Sequence, residues 1–456
     1  MLSNLIAARA VFGMSLSFHI MFAALGVVMP FMLLVSQYLY LRRKNPIYLA
    51  LNKKWTTAFA VTYAVGAVSG VVLTFGLGLF WPRFMDFAGP MIGVPLSIEV
   101  MFFLLEAIFL GIYLFGRELL SPWVHWASAI PLFIGGYASM VVVLLANSWM
   151  NTPVGFTLNE AGEVIDVNVL EAMFAPAWYA EVSHMAVAAF EAVGFGFAAV
   201  YAFGMIRGRI DEYHKKGFFL GMVVVTLVAP LMIFSGDHTA RQIAVNEPAK
   251  LAAIEPLFET KEGAPLSIGG YPDMEAEEMR FDIEIPNLLS ILAFDEPNAT
   301  IKGLNEFPED ERPDPRYVWW AYDAMTGIGF FLATLIPLFW IFYWRYRGVP
   351  TNRLLLSAIV LAGFLGFVAI ELGWIVTEGG RQPWVAQGVM RVEDGMTLAP
   401  GIGVAFFGFA LLYIFLSATL VWLLKRIATG APSEEELEGV QEHQEELEKK
   451  EDAYAV

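Results

Sequence analysis

Roughly nine stretches of this chain each run for about twenty or more mostly apolar residues, and that spacing constrains the fold more than any other feature. They cover approximately 12–40, 55–80, 94–116, 124–148, 175–205, 217–236, 317–344, 353–376 and 400–424. Crossing the hydrocarbon core of a bilayer takes about 20 residues as a helix. Only helices and closed barrels satisfy their backbone groups in lipid, and these runs are far too long for strands. The sequence therefore predicts an all-α polytopic membrane protein, a bundle of about nine transmembrane helices. Composition agrees: 57% of residues are hydrophobic and only 16% charged, with a mean hydropathy of +0.58. Most of the net charge of −17 falls in 237–316 and in the tail from Ser433, outside the apolar runs. Nucleic acid is thereby excluded as a partner.

Lys and Arg in the short loops set the orientation. Arg42, Arg43, Lys44, Lys53 and Lys54 follow span one; Arg117 follows span three; Arg207, Arg209, Lys215 and Lys216 follow span five. Arg345, Arg347 and Arg353 follow span seven, and Lys425 and Arg426 follow span nine, while 149–174 carries no basic residue. This places the chain in the cell membrane with the N-terminus outside and the C-terminus cytoplasmic. The expected organisation is helices one to six over 1–236, an outer-face loop over 237–316, helices seven to nine over 317–426, and an acidic cytoplasmic tail over 427–456. The tail reads as a solvated helix or a disordered segment. No cleavable signal peptide is expected, because the first apolar run is too long and lacks a basic flank. Cysteine is absent, so iron–sulfur clusters, thiolate haem and CxxCH haem attachment are excluded within the chain.

An ionised side chain at membrane depth costs roughly 3 kcal/mol, so each one requires a reason. His19, Glu99, Glu106, His184 with Glu181 and Glu191 nearby, Met325 and Glu378 all fall in the outer half under this topology. Glu106 follows Glu99 by seven residues and so shares its helix face, which suggests a proton route. Individually, the histidines could bridge helices, Met325 could be packing and Glu378 could pair with Arg381. Together they suggest haem sites, since His/Met closes both axial positions of an iron while a single His or carboxylate leaves one open. His125, His214, His238 and His443 lie at span ends, in loops or in the tail, where no cofactor role is expected.

The segment Gly373–Trp384, GWIVTEGGRQPW, resembles the GWxxxExGRQPW signature of subunit I of the cytochrome bd quinol oxidases. Arg9 followed by His19, the IEVMFFLLE segment, ANSWMNTPVG (146–155) and KLAAIE (250–255) also resemble family segments. The resemblance runs from the first helix to about residue 425. It implies three haems. His184 and Met325 would ligate a low-spin haem b. His19 and Glu378 would each hold one of a high-spin haem b and a chlorin-type haem d, in an order left open. Glu99 and Glu106 would serve proton delivery, Arg9, Trp374 and Arg381 would neighbour the haems, and Lys250 and Glu255 would bind quinol. A second membrane subunit is implied, with room for a small single-span subunit.

Two departures stand out. Familiar relatives carry Arg two residues before the ligating Met, where this chain has Asp323; an anion there favours the ferric state and lowers the haem potential. The outer loop resembles the short form, which leaves the quinone open. The function implied is four-electron reduction of O2 to water by quinol, with quinol oxidised outside and protons drawn from inside. A His cluster suited to copper is lacking, which disfavours a haem–copper oxidase. The competing readings are a transporter with a buried His/Glu proton relay, which usually shows internal repeats, and a haem b carrier without oxygen chemistry.

Overall fold

The computed structural model describes residues 4–428, Pro432 and Glu438; the rest of the acidic tail, and the expectation made for it, lies outside the described residues. Thirteen α-helices are present among the described residues, nine of them long and apolar enough to span a membrane. The spanning helices are α1 (Asn4–Arg43), α2 (Pro46–Phe80), α3 (Pro82–Phe115), α4 (Pro122–Asn151), α6 (Trp178–Ile206), α7 (Glu212–Asn246), α10 (Pro315–Tyr346), α11 (Arg353–Gly379) and α13 (Ile402–Ala428). The short helices are α5 (Val169–Met173), α8 (Pro248–Ile254), α9 (Leu288–Phe294) and α12 (Val392–Gly395). The protein is therefore a multi-pass helical membrane protein.

Local sequence explains many helix starts. Asn45, Asp211, Asp314 and Asn352 cap the first turns of α2, α7, α10 and α11 through their side chains, and proline occupies the start of α2, α3, α4, α8 and α10. The helices pack as two layers. In one, α1 lies against α2 and α4, and α4 against α3; in the other, α6 lies against α7 and α11, and α11 against α10. Small residues permit the closest approaches in the second layer. A Cβ on Gly221 would meet the Ala198 nitrogen at 2.6 Å, and one on Gly366 would meet the Ala192 Cα at 2.8 Å. By contrast, α13 buries almost nothing and packs mainly on α1 and α2.

Helix α7 runs to Asn246, about ten residues past the predicted end of its apolar run, and an i,i+4 ion pair from Arg241 to Asp237 bridges the added turns at 2.8 Å. The following connection, 247–314, is folded rather than loose. It contains α8, α9 and three two-stranded ladders, 261–262 with 300–301, 266–268 with 283–285, and 271–273 with 278–280. Leu251, Ile254, Leu257, Phe258 and Leu289 form a core with Val318 and Ala321 of α10 and Leu372 and Val376 of α11. This anchors the connection over the end of the bundle where Glu378 lies. The basic residues of the short loops cluster at the opposite end.

Candidate functional site

Two half-buried histidines at the loop end are held in the same way. His19 Nδ1 lies 3.0 Å from Ser69 Oγ on α2, and His184 Nδ1 lies 3.3 Å from Ser235 Oγ on α7. Each serine donates its own proton to a backbone carbonyl, Ser69 to Gly66 at 2.9 Å and Ser235 to Met232 at 3.2 Å. A hydroxyl has one proton to give, so a serine that donates to its carbonyl accepts from an imidazole Nδ1–H. The network therefore assigns the Nδ1–H tautomer to both rings. That tautomer leaves each Nε2 with a lone pair, which is the arrangement a metal-ligating histidine needs.

Met325 lies on α10 and His184 on α6. Both helices pack on α7 and α11, while α6 and α10 are not closely packed on each other. A Cβ on Gly373 would lie 3.0 Å from Met325 Sδ, one on Gly236 3.9 Å from His184 Cε1, and one on Gly70 2.9 Å from His19 Cε1. Backbone without side chains thus lines the approach to all three. Trp374, half-buried, follows Gly373 directly and packs against the main core. No group of three or more His, Asp or Glu suited to a bare metal ion occurs among the described residues, whereas paired or single axial donors suit an iron already held by a macrocycle.

Glu378 stands at the end of α11. Its Oε1 accepts from Asn147 Nδ2 at 3.0 Å, and its Oε2 pairs with Arg381. Those contacts orient the carboxylate and leave further lone pairs on both oxygens. Arg381 is 1% exposed, and its Nε has no partner among the described residues. Arg9 joins the same segment by donating to Gln382 Oε1 at 2.8 Å. Asn151 ties the layer together: its Oδ1 accepts from Arg381 Nη1 at 3.0 Å and Lys250 Nζ at 3.3 Å, and its Nδ2 donates to Glu181 Oε1 at 2.7 Å.

The two loop residues singled out in the sequence face different partners. Lys250 is buried, forms an ion pair with Glu247, and lays its stem over Gly380, where a Cβ would come within 2.5 Å of its Cγ. Glu255 ends α8 on the side of Asp323. Burial, with the Asp323 charge added, pushes its carboxyl up to about 8.

Glu99 and Glu106 both point from α3 into the first layer. Glu99 Oε1 accepts from Ser139 Oγ at 2.9 Å. Glu106 is buried against the glycines of α1 and α4: a Cβ on Gly136 would lie 3.1 Å from its Oε1, and one on Gly26 3.5 Å. That Oε1 has no hydrogen-bond partner among the described residues.

Sequence reasoning overlooked several members of this layer. Ser69, Ser235, Asn147 and Asn151 carry no signal as isolated small polar residues, although both asparagines lie in ANSWMNTPVG. Glu371 could have been found: it interrupts the apolar run FVAIELGW and shares the Glu378 face of α11, seven residues earlier. Its Oε1 is buried and unpartnered among the described residues.

Comparison with known proteins decides the family. A profile described as "Cytochrome bd terminal oxidase subunit I" matches residues 7–432. This chain belongs to that family. As a cytochrome bd subunit I, it is 35% identical over 442 residues to a Bacillus subtilis (strain 168) protein provisionally described as a cytochrome bd menaquinol oxidase subunit I, covering 96% of this chain and 99% of that one. It is 30% identical over 447 residues to the cytochrome bd ubiquinol oxidase subunit 1 of the same organism, covering 94% and 95%. Among solved structures, the bd oxidase from Geobacillus thermodenitrificans matches with a TM-score of 0.88 at 35% identity, over 94% of this chain and 99% of that one. Family membership favours the oxidase reading over the transporter.

Proposed function

We propose that this cytochrome bd subunit I carries the haems of a quinol oxidase that couples oxidation of two quinols to reduction of one O2 to two waters. The two serine-tethered histidines, with Nε2 left free at the end of the bundle that bears the folded loop, carry the reading. His184 and Met325 would hold a low-spin haem b. His19 and Glu378 each supply one donor to a high-spin haem, one of type b and one of type d. When bound, these groups pass single electrons from quinol to the centre that reduces oxygen.

Quinol docks against the 247–314 connection. Glu255, raised by burial, takes a proton from the quinol hydroxyl, and Lys250 with Glu247 holds the loop on the Arg381 turn. Arg9 and Arg381 offer guanidinium N–H groups to propionates, and Trp374 walls the pocket. Glu106 and Glu99, one face of α3, hold protons bound for water. By the distribution of basic loops, the folded connection and the N-terminus lie outside and the C-terminus in the cytoplasm. Quinol protons are then released outside while those for water come from inside, so charge separates without a pumping element. A second membrane subunit completes the enzyme, and a small single-span subunit has room on the lipid-facing surface.

Reduced-minus-oxidised absorbance of the purified oxidase, with extracted-haem analysis, tests this reading. Chlorin and b-type haem are expected, with the low-spin signal lost in His184→Ala and a high-spin signal altered in Glu378→Ala. Absence of haem from the wild type would overturn it.

A further inference from the structure

At the basic end of the bundle a cleft of about 820 Å3 separates α6 from α13. Its walls are apolar, with Leu25, Ala58, Val200, Phe367 and Leu424 among them. On its floor Trp55 Nε1 donates to Tyr201 OH at 2.7 Å, and the rings of Trp55, Phe197 and Tyr201 face the space. Four cations line the cleft from three directions: Lys54 of α2, Arg207 and Arg209 after α6, and Lys425 of α13. No Asp or Glu lines it among the described residues.

Three of these cations, Arg207, Arg209 and Lys425, are not matched by carboxylates among the described residues. In the same α6–α7 connection, Lys215 and Lys216 both pair with Glu212, and Asp211 engages His214. Arg207, Arg209 and Lys425 form no ion pair among the described residues. An apolar slot with cations at one mouth suits an amphiphile bearing an anionic head. A neutral quinone would leave the cations unexplained, and an acidic peptide would leave the apolar walls unfilled. Two guanidinium forks match the oxygens of a phosphodiester, and basic pockets between helices on the cytoplasmic side are where anionic head groups bind.

We propose that this cleft holds an anionic phospholipid, its phosphate on Arg207 and Arg209 with Lys54 and Lys425 beside it, and an acyl chain between α6 and α13. The proposal rests on the chain spanning a membrane and is independent of the haem assignments. The lipid would fill the space behind α13, the helix held least by protein contacts.

The test uses the intact oxidase, stripped in detergent and titrated with phosphatidylglycerol or phosphatidylcholine of identical chains, with binding read by native mass spectrometry. Removing two cations in the double variant Arg207→Gln/Arg209→Gln should weaken phosphatidylglycerol binding about thirtyfold, and Lys425→Gln about fivefold. The Lys215→Gln/Lys216→Gln control should bind as wild type. An unchanged haem spectrum in each variant separates lost binding from lost folding. Equal affinity for phosphatidylcholine, full retention by the double variant, or displacement by millimolar inorganic phosphate would overturn the proposal. So would binding that is seen only after removal of the residues beyond Ala431, which would assign the cations to the acidic tail.

Discussion

The two ends of this bundle both bury histidine among polar groups, yet the networks are built differently. At the basic end His125 has both ring nitrogens engaged, Nδ1 by Gln37 Nε2 at 2.8 Å and Nε2 by the Tyr113 carbonyl at 2.9 Å. Tyr113 OH donates to Gln37 Oε1 at 2.6 Å, Asn52 donates to Tyr113 OH at 2.8 Å, and Arg117 donates to Asn52 Oδ1 at 2.6 Å. Donors and acceptors close on one another, and His125 takes the Nε2–H tautomer. At the loop end His19 and His184 take the opposite tautomer and stop one atom short of closure. Around them Glu106, Glu371 and Arg381 each keep an unpartnered atom among the described residues. His125 closes its network within the protein, whereas His19 and His184 do not; His214, bonded at Nδ1 to Asp211 and open at Nε2, shows that an open nitrogen alone does not mark a ligand.

Substitution of the histidines breaks or upholds that distinction most directly. His184→Ala should abolish the low-spin spectrum, and His19→Ala one high-spin signal. Turnover should fall in both by more than the roughly 10–100-fold typical of outer-shell changes. If either variant kept its full spectrum, the ligand assignment of that histidine would fail. Ser235→Ala and Ser69→Ala remove only the tether and should reduce haem occupancy about tenfold, measured by haem per protein. A third test concerns Glu255, whose proton-accepting form exists above its raised pKa. Quinol oxidation should rise about fivefold between pH 7 and pH 8 in stopped-flow traces, as expected for a base titrating near 8. Glu255→Gln should be slow without that rise, and Asp323→Asn should move the rise to lower pH. The smallest effect on activity is expected at the closed end: His125→Ala should leave every haem signal intact and cost about 1–3 kcal/mol in stability, seen as a lower melting temperature.

The membrane architecture was legible because lipid permits few solutions, and each apolar run reappears inside a spanning helix. The resemblance of GWIVTEGGRQPW pointed to the turn where Glu378, Arg381 and Gln382 meet Asn147, Asn151 and Arg9. The extension of α7 was not legible. Asp237, His238 and Arg241 look like the start of a loop, but an ion pair one helical turn apart lets them continue the helix. The serine tethers were equally hidden, since a hydroxyl fifty residues away in sequence, as Ser69 is from His19, leaves no local pattern. Lys250 and Glu255 were both expected to bind quinol, and nothing in the sequence separates their surroundings. Their five-residue spacing on and just past a short helix instead sends them to different neighbours, Asn151 and Asp323.

The contact between Lys250 and Gly380 has a mechanical consequence. The lysine stem occupies the space a side chain at 380 would need, one residue before Arg381 and two after Glu378. Loop and Glu378–Arg381 turn therefore interlock as a tongue in a slot. Lifting α8 by the thickness of one side chain would draw Lys250 from Asn151, which also holds Arg381. The position of α8 and the setting of the Arg381 side chain are thus tied through one glycine and one asparagine, so neither can shift without the other.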